Sequence, residues 1–195
     1  EICRHSDMLI CHTGGNSLYC DPETDTGFLE TLGFLTEITE KLGKNYPDDV
    51  KLNAAIGRSF FICNPKTVDN YIQGELIIRG KIPFYVNQGY TKCSVCFVTE
   101  TAIITEDESV YNALKNSIDV LLISKGDIYL SDKHYGFFGG SSGKISKDTL
   151  AIAGELKYHK DADIIKKFCE KQGVQIKELK KGRIIDIGSI LPLME

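Results

Sequence analysis

Residues 94–124 read SVCFVTETAIITEDESVYNALKNSIDVLLIS, and their order of patterns decides the fold. "SVCFV" alternates as a strand, Thr99 and Glu100 make a tight turn, and "TAIIT" is a second β-favouring run. "EDESVYNALKNSI" then changes to helical spacing, with Val110, Ala113, Leu114 and Ile118 on one face and Glu106 to Glu108 at the helix start, where negative charge is favoured. "DVLLIS" closes the unit as a third strand. The module is strand, strand, helix, strand.

The same module recurs on both sides. Downstream, "KIS", a turn at Lys147 and Asp148, "TLAIAG", "DADIIKKFCEKQG" and "VQIKEL" repeat it, with Ile164, Ile165, Phe168 and Cys169 facing inward and Gly173 as the helix stop. Upstream, "NAAIGRSFFICNP" turns near Arg58 and Ser59, and a short helical "TVDNYIQ" leads to the strand "IPFYV". The first copy, "DMLICHTGGNSLYCDP", turns at Gly14, Gly15 and Asn16, and its helix carries Phe28, Leu32, Leu35, Ile38 and Leu42 on one face. At the far end "GRIIDIGSILPL" reads as the opening strand pair of a fifth unit.

Unit starts fall near residues 8, 54, 94, 141 and 184, a period of roughly 40 to 47 residues that suits one supersecondary module per repeat. Five such modules around an axis make a closed five-bladed α/β propeller, because closure removes exposed strand edges. The alternative is an open α/β sheet with irregular strand order. Closure through one shared blade predicts about 30 to 40 further residues before Glu1, a helix and strand of the same period. A single domain over residues 1–195 follows from a chain long enough for one sizeable core.

Composition narrows the function. The formal charge is −4, and Lys/Arg clustering stops at the pairs 166–167 and 180–181, so nucleic acid is not an expected partner. The longest apolar runs, such as "VLLI" at 120–123, fall far short of the roughly 20 residues of a membrane span. Seven cysteines without framework spacing suit a reducing cytoplasm.

These repeats resemble the pentein, or guanidino-group-modifying enzyme, fold shared by arginine deiminases, agmatine deiminases, dimethylarginine hydrolases and amidinotransferases. More narrowly, "QGYTKCSVCFVTETAIITEDESVY", "YGFFGGSSGKISKDTLAIAGELKYH" and "RIIDIGSILPL" are similar to a bacterial family of unknown function, DUF6873, over nearly the whole chain. In catalytic penteins a cysteine attacks the guanidinium carbon, a histidine shuttles protons and acidic side chains hold the planar cation. The resemblance would put that cysteine in the last strand pair, where this chain has Gly188 and Ser189. It would put the histidine in the preceding blade, which has none between Tyr135 and Gly143. A His-x-Asp motif stands instead at His5–Ser6–Asp7, one blade away.

The candidate site residues follow. Cys93 and Cys96 could be half a zinc site, a redox pair, a nucleophile with a bystander, or core filling. No second CxxC occurs, and residues three apart on a strand face opposite ways, so no metal is expected. Cys96 belongs to a core face. Cys93, beside Lys92 whose ammonium would lower a thiol pKa, is the candidate nucleophile. His5 is the candidate acid/base, with Asp7 on the same side of an extended stretch. "GGSSGKIS" at 139–146 fails as a phosphate-binding P-loop, having Phe138 and Ile145 where Gly and Ser/Thr are needed, and as a nucleophile elbow, having a strand where a helix must follow. What remains is a turn at Gly140, Ser141 and Ser142 whose N–H groups could hold an anion. Asn53, Tyr90, Lys92, Tyr135, Asp186 and Ser189 occupy corresponding rim positions and suggest a central pocket for a small polar molecule, without a cofactor. Two functions are in view: a Cys-dependent hydrolase or amidinotransferase acting on C–N bonds of guanidino or amidine-like compounds, with Asp7 or Asp186 orienting the substrate, and a non-catalytic ligand- or protein-binding domain.

Overall fold

The computed structural model describes residues 5–131 and 134–193. Four three-stranded sheets share one plan, an antiparallel hairpin followed by a helix and a third strand parallel to the hairpin's second strand. They are β1 (Ile10–Gly14), β2 (Ser17–Cys20) and β3 (Leu35–Ile38); β4 (Ala55–Ile56), β5 (Phe60–Cys63) and β6 (Ile82–Tyr85); β7 (Val95–Thr99), β8 (Ala102–Thr105) and β9 (Asp119–Leu122); and β12 (Ser142–Ser146), β13 (Thr149–Ile152) and β14 (Gln175–Glu178). A fifth, two-stranded sheet pairs β10 (Tyr129–Ser131) with β11 (His134–Tyr135). None of the sheets closes on itself.

The crossover helices differ in length. α3 (Asn70–Ile78), α5 (Glu108–Leu114) and α6 (Ala162–Lys171) are regular, and Asp69 and Asp107 cap the first two by accepting from backbone N–H groups. α3 runs beyond the expected "TVDNYIQ". In the first repeat the expected long helical face does not exist. α2 (Gly27–Thr31) ends before Gly33, whose φ of +90° terminates it. Leu35 and Ile38 then run as strand β3 along β2, which leaves Phe28, Leu32, Leu35 and Ile38 exposed. Ile164 is likewise exposed on α6, while Ile165 and Cys169 are buried.

The fifth unit departs most from the expected hairpin. Only Ile185 bridges, in parallel, to Tyr129. Gly188 and Ser189, both left-handed at φ 79° and 66°, turn the chain where a hairpin would have continued.

Apolar side chains fill the spaces between neighbouring sheets. Val95, Ile103 and Leu114 pack with Ala55, Phe60 and Ile62, and Cys96, Val98 and Ile104 pack with Leu150, Ile152 and Cys169. Cys96 is therefore core filling, as its strand position implies. Each fully buried side chain of this kind contributes roughly 1.5–3 kcal/mol. Among the described residues no helix is long and apolar enough to cross a membrane.

Short turns lead into the hairpins: α1 (Ser6–Leu9) before β1, α4 (Thr91–Ser94) before β7, and a 3-10 turn at Gly139–Ser141 before β12. Polar bonds join these lead-ins from one repeat to the next. Asp7 O accepts from Asn53 Nδ2 at 2.8 Å, and Asn53 Oδ1 accepts from Lys92 N at 2.7 Å. Gly139 lies so close to α4 that a Cβ would stand 2.5 Å from Cys93 O. Gly140 O accepts from Ser189 N at 2.7 Å, and Gly188 O accepts from Asp7 N at 3.1 Å. The last lead-in is thus tied to the first.

Candidate functional site

The linked lead-ins bring the chemistry-bearing side chains together. Asp7 is fully buried on α1; its Oδ2 accepts from Ser189 Oγ at 2.6 Å, while Oδ1 is buried without a hydrogen-bond partner. Asp186 accepts from Phe137 N at 2.9 Å and from Gly188 N at 3.0 Å, and its Oδ1 lies 3.5 Å from His5 Nδ1. Burial raises the Asp186 carboxyl, two backbone N–H groups pull it down, and the Asp7 charge pushes it up again. His5 and Asp7 of the His-x-Asp motif therefore face one site, although the motif lies at a helical turn rather than on an extended stretch.

Cys93 also reaches this middle. Its Sγ is 3.2 Å from Asn53 Nδ2 and 4.0 Å from Met8 Sδ, in a cluster with Val50, Tyr90 and Phe137. The expected activation by Lys92 does not decide the state of the thiol. Burial and the Asp7 charge hold the thiol well above its ordinary pKa, and the Lys92 ammonium acts on Cys96 instead, whose thiol burial nevertheless raises to about 11. Lys92 meets Asn53 through its backbone N–H.

Asn53 is the organiser. Fully buried, it donates to Asp7 O and to both sulfurs and accepts from Lys92, so one amide holds three repeats in register. Tyr90 stacks on Phe137 and donates to Asp49 Oδ2 at 3.0 Å. Tyr135 is not part of the site; it is exposed on the β10–β11 hairpin.

The N–H groups of the Gly/Ser turn are used inside the backbone, Ser141 N donating to Phe137 O and Phe138 O and Ser142 N to Gly139 O, and the N–H groups that meet carboxyl groups stand before it. Phe137 N and Phe138 N, just before it, donate to Asp186 and to Glu106 respectively. Ser141 and Ser142 turn their hydroxyls back onto Phe138 O at 2.8 and 2.6 Å. Gly140 is required because a Cβ would stand 2.4 Å from both Asp186 carboxylate oxygens.

Glu106 is the residue that sequence reasoning placed wrongly. It does not sit over the helix start, a role Asp107 takes; it turns inward after β8, and burial raises its carboxyl to about 8. The signal was the local order "TEDES", in which Asp107 rather than Glu106 stands at the cap position. Among the described residues no group of three or more His, Cys, Asp or Glu is arranged to hold a metal ion.

The arrangement is a desolvated acidic centre: Asp7, Asp186 and Glu106, with one imidazole and one thiol. Three backbone N–H groups and a serine hydroxyl satisfy part of it, and Asp7 Oδ1 is buried without a hydrogen-bond partner. Such a centre favours a cation.

The architecture is shared with solved enzymes. Agmatine deiminase of C. jejuni superposes with a TM-score of 0.54 at 12% identity, covering 84% of this chain and 60% of the deiminase. SxtG, an amidinotransferase of Microseira wollei from the saxitoxin biosynthetic pathway, superposes with a TM-score of 0.54 at 7% identity, covering 98% of this chain and 72% of the transferase. Both have the pentein fold, which is the fold of this chain. No curated protein matches its sequence. The family model that does match spans residues 1–191, through the His-x-Asp turn, Asn53, Cys93, the Gly/Ser turn and Asp186, and the chain accordingly belongs to the family of unknown function DUF6873.

Proposed function

We propose that residues 1–195 form one domain, a five-bladed α/β propeller, whose acidic centre binds a small planar cation of the guanidino or amidine type. The circle of polar bonds that ties the last lead-in to the first supports the closed ring. The observation that carries the ligand class is Asp7: a fully buried carboxylate with one oxygen unpartnered, next to the second carboxylate of Asp186. A guanidinium or amidinium offers paired N–H donors in a plane, which matches a carboxylate far better than a point-charge ammonium does. His5, the least buried of these side chains, stands where such a ligand would enter.

A chemical role for Cys93 is the second reading, and its contact with Asn53 beside Asp7 favours it. Burial and the Asp7 charge keep the thiol protonated. A bound cation would offset that field, so the nucleophile would form only with substrate in place, with His5 as acid/base. Without that step the protein is a binding domain.

Calorimetric titration of the protein with guanidinium, acetamidine and alkylguanidines at neutral pH tests the binding. Saturable binding that Asp7→Asn weakens at least tenfold is expected. No binding of any of these cations to the wild-type protein sinks the reading. A haloacetamidine that modifies Cys93 no faster than the other buried thiols removes the catalytic version alone.

A further inference from the structure

A cavity of about 370 Å³ lies beside the first repeat, between α1 and the irregular segment 40–50. Its wall is sorted by charge and depth. Asp21 and Asp49 are buried. Met8, Leu9 and Leu42 supply apolar sides. Lys41 and Lys44 are exposed, and Lys41 is paired with Glu23.

Asp49 is the informative residue. It is 8% exposed, its Oδ2 accepts from Tyr90 OH at 3.0 Å, and its Oδ1 is buried with no hydrogen-bond partner. In the same wall, the Asp21 oxygens accept from Glu23 N and Leu42 N. A buried carboxylate oxygen without a donor is costly, and since Asp49 Oδ1 has no exposed surface, a donor from the cavity reaches it only as the wall beside it shifts.

We infer that this cavity binds a small primary amine, its ammonium directed at Asp49 and its short alkyl stem lying along Met8, Leu9 and Leu42. An ammonium suits the place because its three donors fan out from one point, as a single orphaned oxygen and the neighbouring Asp21 require. The apolar sides remove a stem of a few carbons from water without needing further polar partners. Met8 separates the cavity from Cys93, so the amine site and the acidic centre are different sites that share one wall residue. The inference stands apart from the guanidino reading.

The chain has two methionines, Met8 and Met194, so a protein labelled at the methionine methyls reports on this cavity directly. Titration with n-butylammonium chloride should shift the Met8 methyl saturably. n-Butanol, of the same shape without the charge, should bind at least tenfold more weakly. Asp49→Asn should weaken the amine by about tenfold or more, while Asp7→Asn leaves it unchanged. An immobile Met8, equal binding of butanol, or weakening that follows Asp7→Asn instead of Asp49→Asn overturns the inference. If Asp49→Asn fails to fold, the comparison of amine with alcohol on the wild-type protein decides alone. A wild-type protein that binds the amine but no guanidino compound would retain this site and remove the other.

Discussion

Ser189 donates a 2.6 Å hydrogen bond to Asp7 across 182 residues of chain. It joins the last lead-in to the first inside the acidic centre, and Ser189 holds a left-handed φ of 66° to do so. Hydroxyl and backbone therefore pull stability in opposite directions. Ser189→Ala keeps the backbone strain and strips Asp7 of its hydroxyl donor, at a cost of about 2 kcal/mol. Ser189→Gly also loses the donor but relieves the φ, and should recover about 1 kcal/mol of that loss. Urea denaturation of the two variants measures the order; Ser189→Gly below Ser189→Ala would contradict it.

Glu106 makes stability depend on pH in a direction opposite to that of an ordinary surface carboxylate. Its folded pKa of about 8 exceeds the ordinary value of 4.5, so between those values the folded state holds a proton that the unfolded chain releases. Stability from this group is complete below pH 4.5 and is lost as pH rises through 8, by on the order of a few kcal/mol. Asp186, also raised, adds in the same direction. Glu106→Gln should flatten the urea midpoint between pH 5 and 9, and a slope unchanged by that variant would show that Glu106 is not its source.

Two glycines separate close approach from helix propensity. At Gly139 a Cβ would stand 2.5 Å from Cys93 O and 2.6 Å from Val95 O, both backbone atoms that cannot swing aside. Gly139→Ala should destabilise by about 3 kcal/mol. Gly74, inside α3, has nothing within 4 Å of its Cβ position, and Gly74→Ala should stabilise by about 1 kcal/mol. Thermal melts of the pair give the contrast.

Cys93 should be inert in the ligand-free fold. It is 2% exposed with its thiol pKa raised, so iodoacetamide at neutral pH must wait for local opening. Asn53→Ala removes four polar contacts around it and should cost about 3 kcal/mol and speed Cys93 alkylation more than that of Cys96. Peptide mass mapping of the modified thiols reads both rates; equal acceleration at Cys93 and Cys96 would mean global loosening.

The repeat was written in the sequence because it rests on local rules: Val and Ile alternation for strands, Asp at helix caps, and Gly14–Gly15 at a turn whose φ values of 117° and 61° need glycine. Those rules located every hairpin of four repeats, and His5, Asp7, Asn53, Cys93, Asp186 and Ser189 among the side chains that meet. They failed where competition between distant segments decides. Leu35 and Ile38 keep helical spacing, yet pairing with β2 made them strand. Ile185 could have opened a hairpin, yet Tyr129 took it in parallel. Glu106 looked like a solvated cap and became a buried acid, because Phe138 N, 32 residues away, waited for it. Protonation states likewise belong to the tertiary structure: Lys92 is adjacent to Cys93 in sequence, but a pKa is set by burial and by the charges that folding brings near, here the carboxylate of Asp7.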